Sequence, residues 1–162
     1  MALTEGQIKS VWEKKIGAEV RSLYFGDLAT RYTRRKQIIT GASFFLSSGA
    51  AAMLAAKAGP DWIPLTMAAI TAFLTAYSIS VGLDRKVATM AKLHYEWNSL
   101  AAELDRLWNH WHEDDAESRF ADVVKRAADV SQMAATEAPY DERLMGKWQD
   151  RVLAQYGMTS PA

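Results

Sequence analysis

The sequence predicts an all-α protein: an integral-membrane hairpin of two transmembrane helices, continuous with a cytoplasmic helical bundle. Two observations carry most of this reading. Charge is absent from two long runs, QIITGASFFLSSGAAAMLAA at 37–56 and WIPLTMAAITAFLTAYSISVGL at 62–83. At about 1.5 Å per helical residue, each run reaches roughly 30 Å, the thickness of a bilayer's hydrocarbon core. Outside the runs, apolar residues recur at spacings of three and four, with no strand-like alternation, internal repeat or low-complexity linker. The totals alone, a net charge of zero from 19 basic and 19 acidic residues and a mean hydropathy of −0.16, describe a soluble chain. They conceal a basic entry (1–36, eight Lys/Arg against four Asp/Glu), an uncharged centre and an acidic end (84–162, ten against fourteen). Without a basic excess, generic nucleic-acid binding is excluded. With no cysteine, so are disulfides, Cys-type zinc sites and thiol nucleophiles.

Residues 1–36 form a cytoplasmic amphipathic helix. Thr4 and Gln7 make a capping box, with Glu5 favourable in the first turn. Ile8, Trp12, Ile16, Val20, Leu23 and Tyr24 share one face; Gly26-Asp27 is a potential break, after which Leu28 and Tyr32 resume the stripe. That face packs on the C-terminal helices or lies on anionic lipid; its narrowness and its tryptophan and tyrosine favour packing.

Residues 37–83 form the hairpin, with an outer loop at 57–61 carrying only Lys57 and Asp61. So short a Gly-Pro loop makes the spans antiparallel. Arg31, Arg34, Arg35 and Lys36 precede the first span, and Arg85, Lys86 and Lys92 follow the second. By the positive-inside rule both termini are cytoplasmic, which makes the protein a multi-pass inner-membrane one, with Trp62 at the outer interface. An apolar run beginning near residue 37 is an anchor rather than a cleavable signal. The competing reading, two buried core helices of a soluble bundle, is disfavoured because the uncharged runs exceed the usual core helix.

Residues 84–162 supply a long helix and two further helices. Span two is expected to continue unbroken to about residue 113. Leu93, Trp97, Leu100, Leu104, Leu107 and Trp111 form a heptad seam, suited either to joining copies of the chain or to packing the N-terminal helix. Asp114 and Asp115 cap the next helix, whose apolar side is Phe120, Val123, Val124, Ala127 and Val130, and Pro139 ends it. The last helix turns Leu144, Trp148 and Val152 inward and closes at Gly157, leaving a tail from Met158 to Ala162.

Little in the chain points to catalysis. His110 and His112 stand two apart, on different faces of a helix, and no third ligand follows at metal-binding spacing. His94, between Leu93 and Tyr95, reads as an interfacial or helix-surface residue. There is no nucleophile elbow, glycine-rich phosphate loop or paired-carboxylate constellation. The expectation is a non-enzyme without metal or cofactor.

Inside the spans, Thr71, Thr75, Ser78 and Gly82 form a small, partly polar stripe, matched by Thr40, Ser43 and Ser47 in span one. Such residues let helices approach, with hydroxyls bonded back to their own carbonyls. In an oligomer they would instead line a water-filled lumen. Physics alone leans to packing, because no ionisable group marks a permeation path. Two helices cannot enclose a conduit, so a pore requires a homo-oligomer.

The amphipathic entry LYFGDLATRYTRRKQ, the Pro-Trp loop KAGPDW and the exit SVGLDRKVATMAKLHYEWNSLAAELDRLW together resemble the SLATT family of bacterial two-helix membrane effectors, over about residues 10–110. The resemblance implies an oligomeric pore-forming effector of bacterial defence that depolarises the cell when a cytoplasmic signal arrives. The residues after 112 are too few for a typical nucleotide-binding α/β domain, so either the helices sense the signal or a separate cytoplasmic sensor protein does. The expected partners are the bilayer, further copies of the chain and that sensor. The alternative is a non-conducting membrane anchor recruiting a cytoplasmic partner, with the acidic patch Glu113 to Glu117 and the tryptophans outside the spans as its docking surface.

Overall fold

A computed structural model describes residues 2–56, 59–60 and 62–158. Among them there is no strand, and five helices follow in order: α1 (Glu5–Ala56), α2 (Trp62–Val81), α3 (Leu83–Asn109), α4 (Ala116–Glu137) and α5 (Glu142–Gln155). They divide into two compact units, Met1–Ala29 with Ala88–Ala162, and Thr30–Val87.

The first unit is an antiparallel four-helix bundle. The capping box forms as expected, the Thr4 amide donating to Gln7 Oε1 at 2.8 Å and the Gln7 amide to Thr4 Oγ1 at 3.4 Å. α1 and α3 run in opposite directions. Lys15 meets Asp105, Trp12 meets Trp108 with ring centroids 4.9 Å apart, and the Leu3 amide donates to the Trp111 carbonyl. Gly26-Asp27 does not break α1. A Cβ at 26 would lie 3.1 Å from His94 Nδ1, so glycine is there to admit α3, and Asp27 accepts from Trp148 Nε1 at 3.3 Å. Tertiary contact outweighs the roughly 1 kcal/mol helix cost of glycine. The buried face of α1 is wider than the predicted stripe. It adds Val11, Lys15, Ala18, Ser22 and Phe25, at spacings of 4, 3, 4 and 3, while Leu23 is 36% exposed.

α4 pairs antiparallel with α3 through Arg126 and Glu103 and through Thr89 and Glu137. It starts at Asp115, whose side chain makes no capping bond and instead lies 3.8 Å from Arg119. Val123 and Val130 are buried, whereas Phe120, Val124 and Ala127 are half-buried. Before Pro139 the chain turns extended, as a residue preceding proline must. Asp141 caps α5 by accepting from the Leu144 amide at 3.0 Å. Leu144 and Val152 are buried, with Trp148 half-buried. α5 ends in a Schellman motif: Gly157 has φ +68°, its amide donates to the Ala154 carbonyl, and the Met158 amide donates to the Leu153 carbonyl. The rest of the predicted tail lies outside the described residues.

The second unit is an antiparallel helical hairpin. At Gly49 the two helices come close, since a Cβ there would fall 2.7 Å from Met67 Cε. Pro64 is buried in the first turn of α2, where its missing N–H costs nothing. Gly59 turns the connection with φ +84°. Lys57 and Asp61, the charged pair expected in the outer loop, lie outside the described residues. The expected unbroken passage from span two into the next helix is not observed. Gly82 adopts φ +61°, its amide donates to the Ile79 carbonyl three residues back, and a new helical ladder begins with the Lys86 amide donating to the Gly82 carbonyl. Only glycine takes that conformation without steric cost, so one residue ends one helix and starts another.

Candidate functional site

The hairpin surface is the unusual feature. α1 and α2 are both long and apolar enough to cross a membrane, and only 6% of each apolar window is buried. Phe44 and Phe45 are 73% and 76% exposed; Ile38, Leu65, Phe73 and Ile79 are similarly bare. The less exposed positions, Ile39, Ser43, Leu46, Ala50 and Met53 of α1 and Pro64, Met67, Thr71, Leu74, Ser78 and Val81 of α2, fall in two narrow rows at heptad spacing.

These rows divide the predicted hydroxyl stripe. Ser43, Thr71, Ser78 and Gly82 are half-buried, whereas Thr40, Ser47 and Thr75 are exposed. Thr71 Oγ1 donates to the Met67 carbonyl and Thr75 Oγ1 to the Thr71 carbonyl, each at 2.9 Å, while Ser47 Oγ donates to the Phe44 carbonyl at 3.0 Å. Such back-bonds satisfy a hydroxyl in an apolar medium without a partner helix. Ser43 Oγ is buried and has no such bond.

At the charged end of the hairpin, aromatic rings and a carboxylate hold the basic residues. The Arg35 guanidinium donates to Tyr77 Oη, Lys36 pairs with Asp84, and Lys86 Nζ lies 5.9 Å above the Tyr32 ring. Arg31, Arg34 and Arg85 are exposed beside them. Lys92, on α3 in the bundle unit, is also exposed.

The predicted seam is filled from within the chain. Leu93, Trp97, Leu100, Leu104 and Leu107 are buried in the bundle, while Trp111 lies beyond the end of α3 and is 43% exposed. His94 is not the surface residue expected. It is half-buried against α1, where its Nδ1 donates to the Ser22 carbonyl at 2.8 Å and lies 3.2 Å from Ser22 Oγ. His110 Nδ1 donates to the Arg106 carbonyl at 2.9 Å, and His112 stacks edge-on to Trp111. No group of three His, Cys, Asp or Glu residues with metal-binding geometry occurs among the described residues. In the acidic patch, Glu113 pairs with Arg119 at 3.0 Å, which tightens the turn into α4.

Sequence reading missed one polar cluster, Lys15 with Asp105 and Tyr156. Lys15 sits at a core position of α1, its ammonium 2.5 Å from Asp105 Oδ1 and 5.4 Å from the centroids of Trp12 and Tyr156. Desolvation pulls its pKa down, but hydrogen bonds to Asp105 and Tyr156 outweigh it, leaving the pKa raised. Burial, reinforced by the hydrogen bond to Glu19, raises the Tyr156 phenol. A lysine inside a heptad row gives no signal separable from a lysine on a solvated face.

Comparison with protein-family models, curated proteins and solved structures finds no match to the chain.

Proposed function

We propose that the chain is an oligomeric two-helix membrane effector whose hairpin crosses the inner membrane and, assembled, conducts ions under the control of the cytoplasmic bundle. The bare apolar surface of the hairpin carries this reading. The bundle has its own buried core, while the hairpin leaves a sheath of Phe, Leu and Ile uncovered on helices of membrane-spanning length. Lipid and neighbouring copies are the natural covering. Ala68, Ala72 and Ala76, exposed at four-residue spacing beside Thr75, would let a second hairpin approach closely. In such an assembly Thr40, Ser47 and Thr75 are the hydroxyls free to face a lumen, while Ser43, Thr71 and Ser78 serve the hairpin's own contact. The left-handed Gly82 is the natural pivot between α2 and α3. The resemblance to the SLATT effectors supplies the setting, membrane depolarisation in bacterial defence.

Ion flux across liposomes containing the purified chain tests the proposal. Thr75→Leu is expected to lower flux several-fold, with Ser78→Leu acting mainly on hairpin stability. Flux that is absent under all conditions, or unchanged in Thr75→Leu and Ser47→Leu together, overturns it. One observation favours a non-conducting anchor instead: the seam suited to joining subunits is occupied within each chain. A monomer or dimer in lipid nanodiscs would establish that reading, because neither can enclose a lumen.

A further inference from the structure

One glycine of the hairpin has no cause within the chain. Gly26 admits His94 and Gly49 admits Met67, but a Cβ at Gly41 would meet nothing within 4 Å. Glycine weakens a helix interior unless something approaches its backbone. At about 3.6 residues per turn, Gly41 lies on the side of α1 away from the less exposed row that holds Ser43 and Ala50. Ile38 and Phe45 flank it on one side and Phe44 on the other, all three at least 71% exposed. Ser48, also exposed, continues the floor two turns on. The hairpin thus leaves open a groove with apolar walls and a floor of small residues.

Arg34 stands at the charged end of this groove. Its neighbours are engaged, Arg35 by Tyr77, Lys36 by Asp84 and Lys86 over the Tyr32 ring. The Arg34 side chain is exposed and makes no hydrogen bond or ion pair among the described residues. Along the helix Arg34 and Phe45 are about 16 Å apart, close to the roughly 15 Å of one leaflet's hydrocarbon. Between Thr30 and Val87 this end carries six basic residues, Arg31, Arg34, Arg35, Lys36, Arg85 and Lys86, and one carboxylate, Asp84, which Lys36 already engages. The ammonium of a zwitterionic headgroup would meet further cations there and no free carboxylate. A headgroup with net negative charge meets its complement.

We propose that this groove holds one anionic phospholipid of the inner leaflet, its phosphate on Arg34 and one acyl chain laid over Gly41 between Phe44 and the Ile38–Phe45 flank. The inference rests on the hairpin crossing the membrane and is independent of whether it conducts.

The test places the full chain in phosphatidylcholine bilayers containing a trace of lipid spin-labelled near the end of one acyl chain, either phosphatidylglycerol or phosphatidylcholine. Electron paramagnetic resonance separates lipid held on the protein from free lipid. Phosphatidylglycerol is expected to be held about fivefold in preference to phosphatidylcholine, and Arg34→Gln to remove most of that preference. Arg85→Gln takes the same charge from the same end and should lower the preference by no more than about twofold, since charges away from the headgroup are screened. Gly41→Phe fills the groove where no atom stands in the way, so it should abolish the preference without lowering the thermal midpoint. Equal retention of the two lipids, equal losses in Arg34→Gln and Arg85→Gln, or an undiminished preference in Gly41→Phe overturns the proposal and leaves the membrane reading standing. No held lipid of either kind would mean that the hairpin is outside the bilayer, which overturns both.

Discussion

Lys15 shows how a charged side chain can occupy a core row and still stabilise the fold. Its side chain is 9% exposed, while that of its partner Asp105 is 50% exposed, so the two ends of the pair are unequal. Removing Asp105 strands a buried ammonium, at a cost of about 1–3 kcal/mol. Replacing Lys15 by methionine leaves a carboxylate that water can still reach and keeps the stem's packing. Asp105→Asn is therefore expected to destabilise the bundle more than Lys15→Met in denaturant unfolding at neutral pH; the reverse order would refute this. Both raised pKa values act in the same direction. The folded state holds the Lys15 and Tyr156 protons more tightly than the unfolded chain, whose values are near 10.5 and 10.0. Their stabilisation is complete below that range and is lost as pH rises through the higher folded values. The thermal midpoint of the bundle should thus fall in strong alkali, and less steeply in Lys15→Met. Nothing in the sequence singles out Lys15 from Lys14 or Lys9, because only the position of α3 decides which lysine is covered.

At the scale of the element, the legible features were those fixed by local geometry. The capping box at Thr4, the glycine closure at Gly157 and the end of α4 before Pro139 each depend on residues within a few positions. The two breaker readings went the other way: Gly26 sits inside a continuous helix, and Gly82 divides one expected to run through. Both outcomes depend on what surrounds the glycine, His94 for the first and backbone conformation for the second. Substitution separates the two causes. At Gly82 a Cβ would meet no atom within 4 Å, so Gly82→Ala is penalised only by its positive φ, about 1–2 kcal/mol. The alternative for that variant is to rejoin α2 and α3 into one helix, which would raise helical content by circular dichroism. Gly26→Ala should be destabilising through displacement of His94. Gly41→Ala, helical and open, should be neutral or stabilising by about 0.5–1 kcal/mol. A destabilised Gly41→Ala with a neutral Gly82→Ala would contradict this account.

At the scale of the whole molecule, the chain pairs a unit that buries its own core with one that does not, and the sequence foretold this through charge rather than hydropathy. Average hydropathy hides the hairpin, whereas the two uncharged runs mark where α1 ends at Ala56 and α2 begins at Trp62; the start of the first run leaves no mark on α1, which is one helix from Glu5. Which hydroxyls face the partner helix was not legible, because Thr71 and Thr75 differ only in phase by a fraction of a turn. The proposed topology makes a prediction that the composition itself renders clean. With no native cysteine, a single introduced thiol is the only site for maleimide. Pro60→Cys in the turn should react with a membrane-impermeant maleimide on intact cells or on spheroplasts. Ala2→Cys ahead of α1 and Glu142→Cys at the start of α5 should react only after permeabilisation, both being exposed in the fold. Protection of Pro60→Cys alone would mean that the hairpin crosses with its turn inward, and equal labelling of all three before permeabilisation that it does not cross at all, so that the bare apolar sheath would require a protein partner rather than lipid.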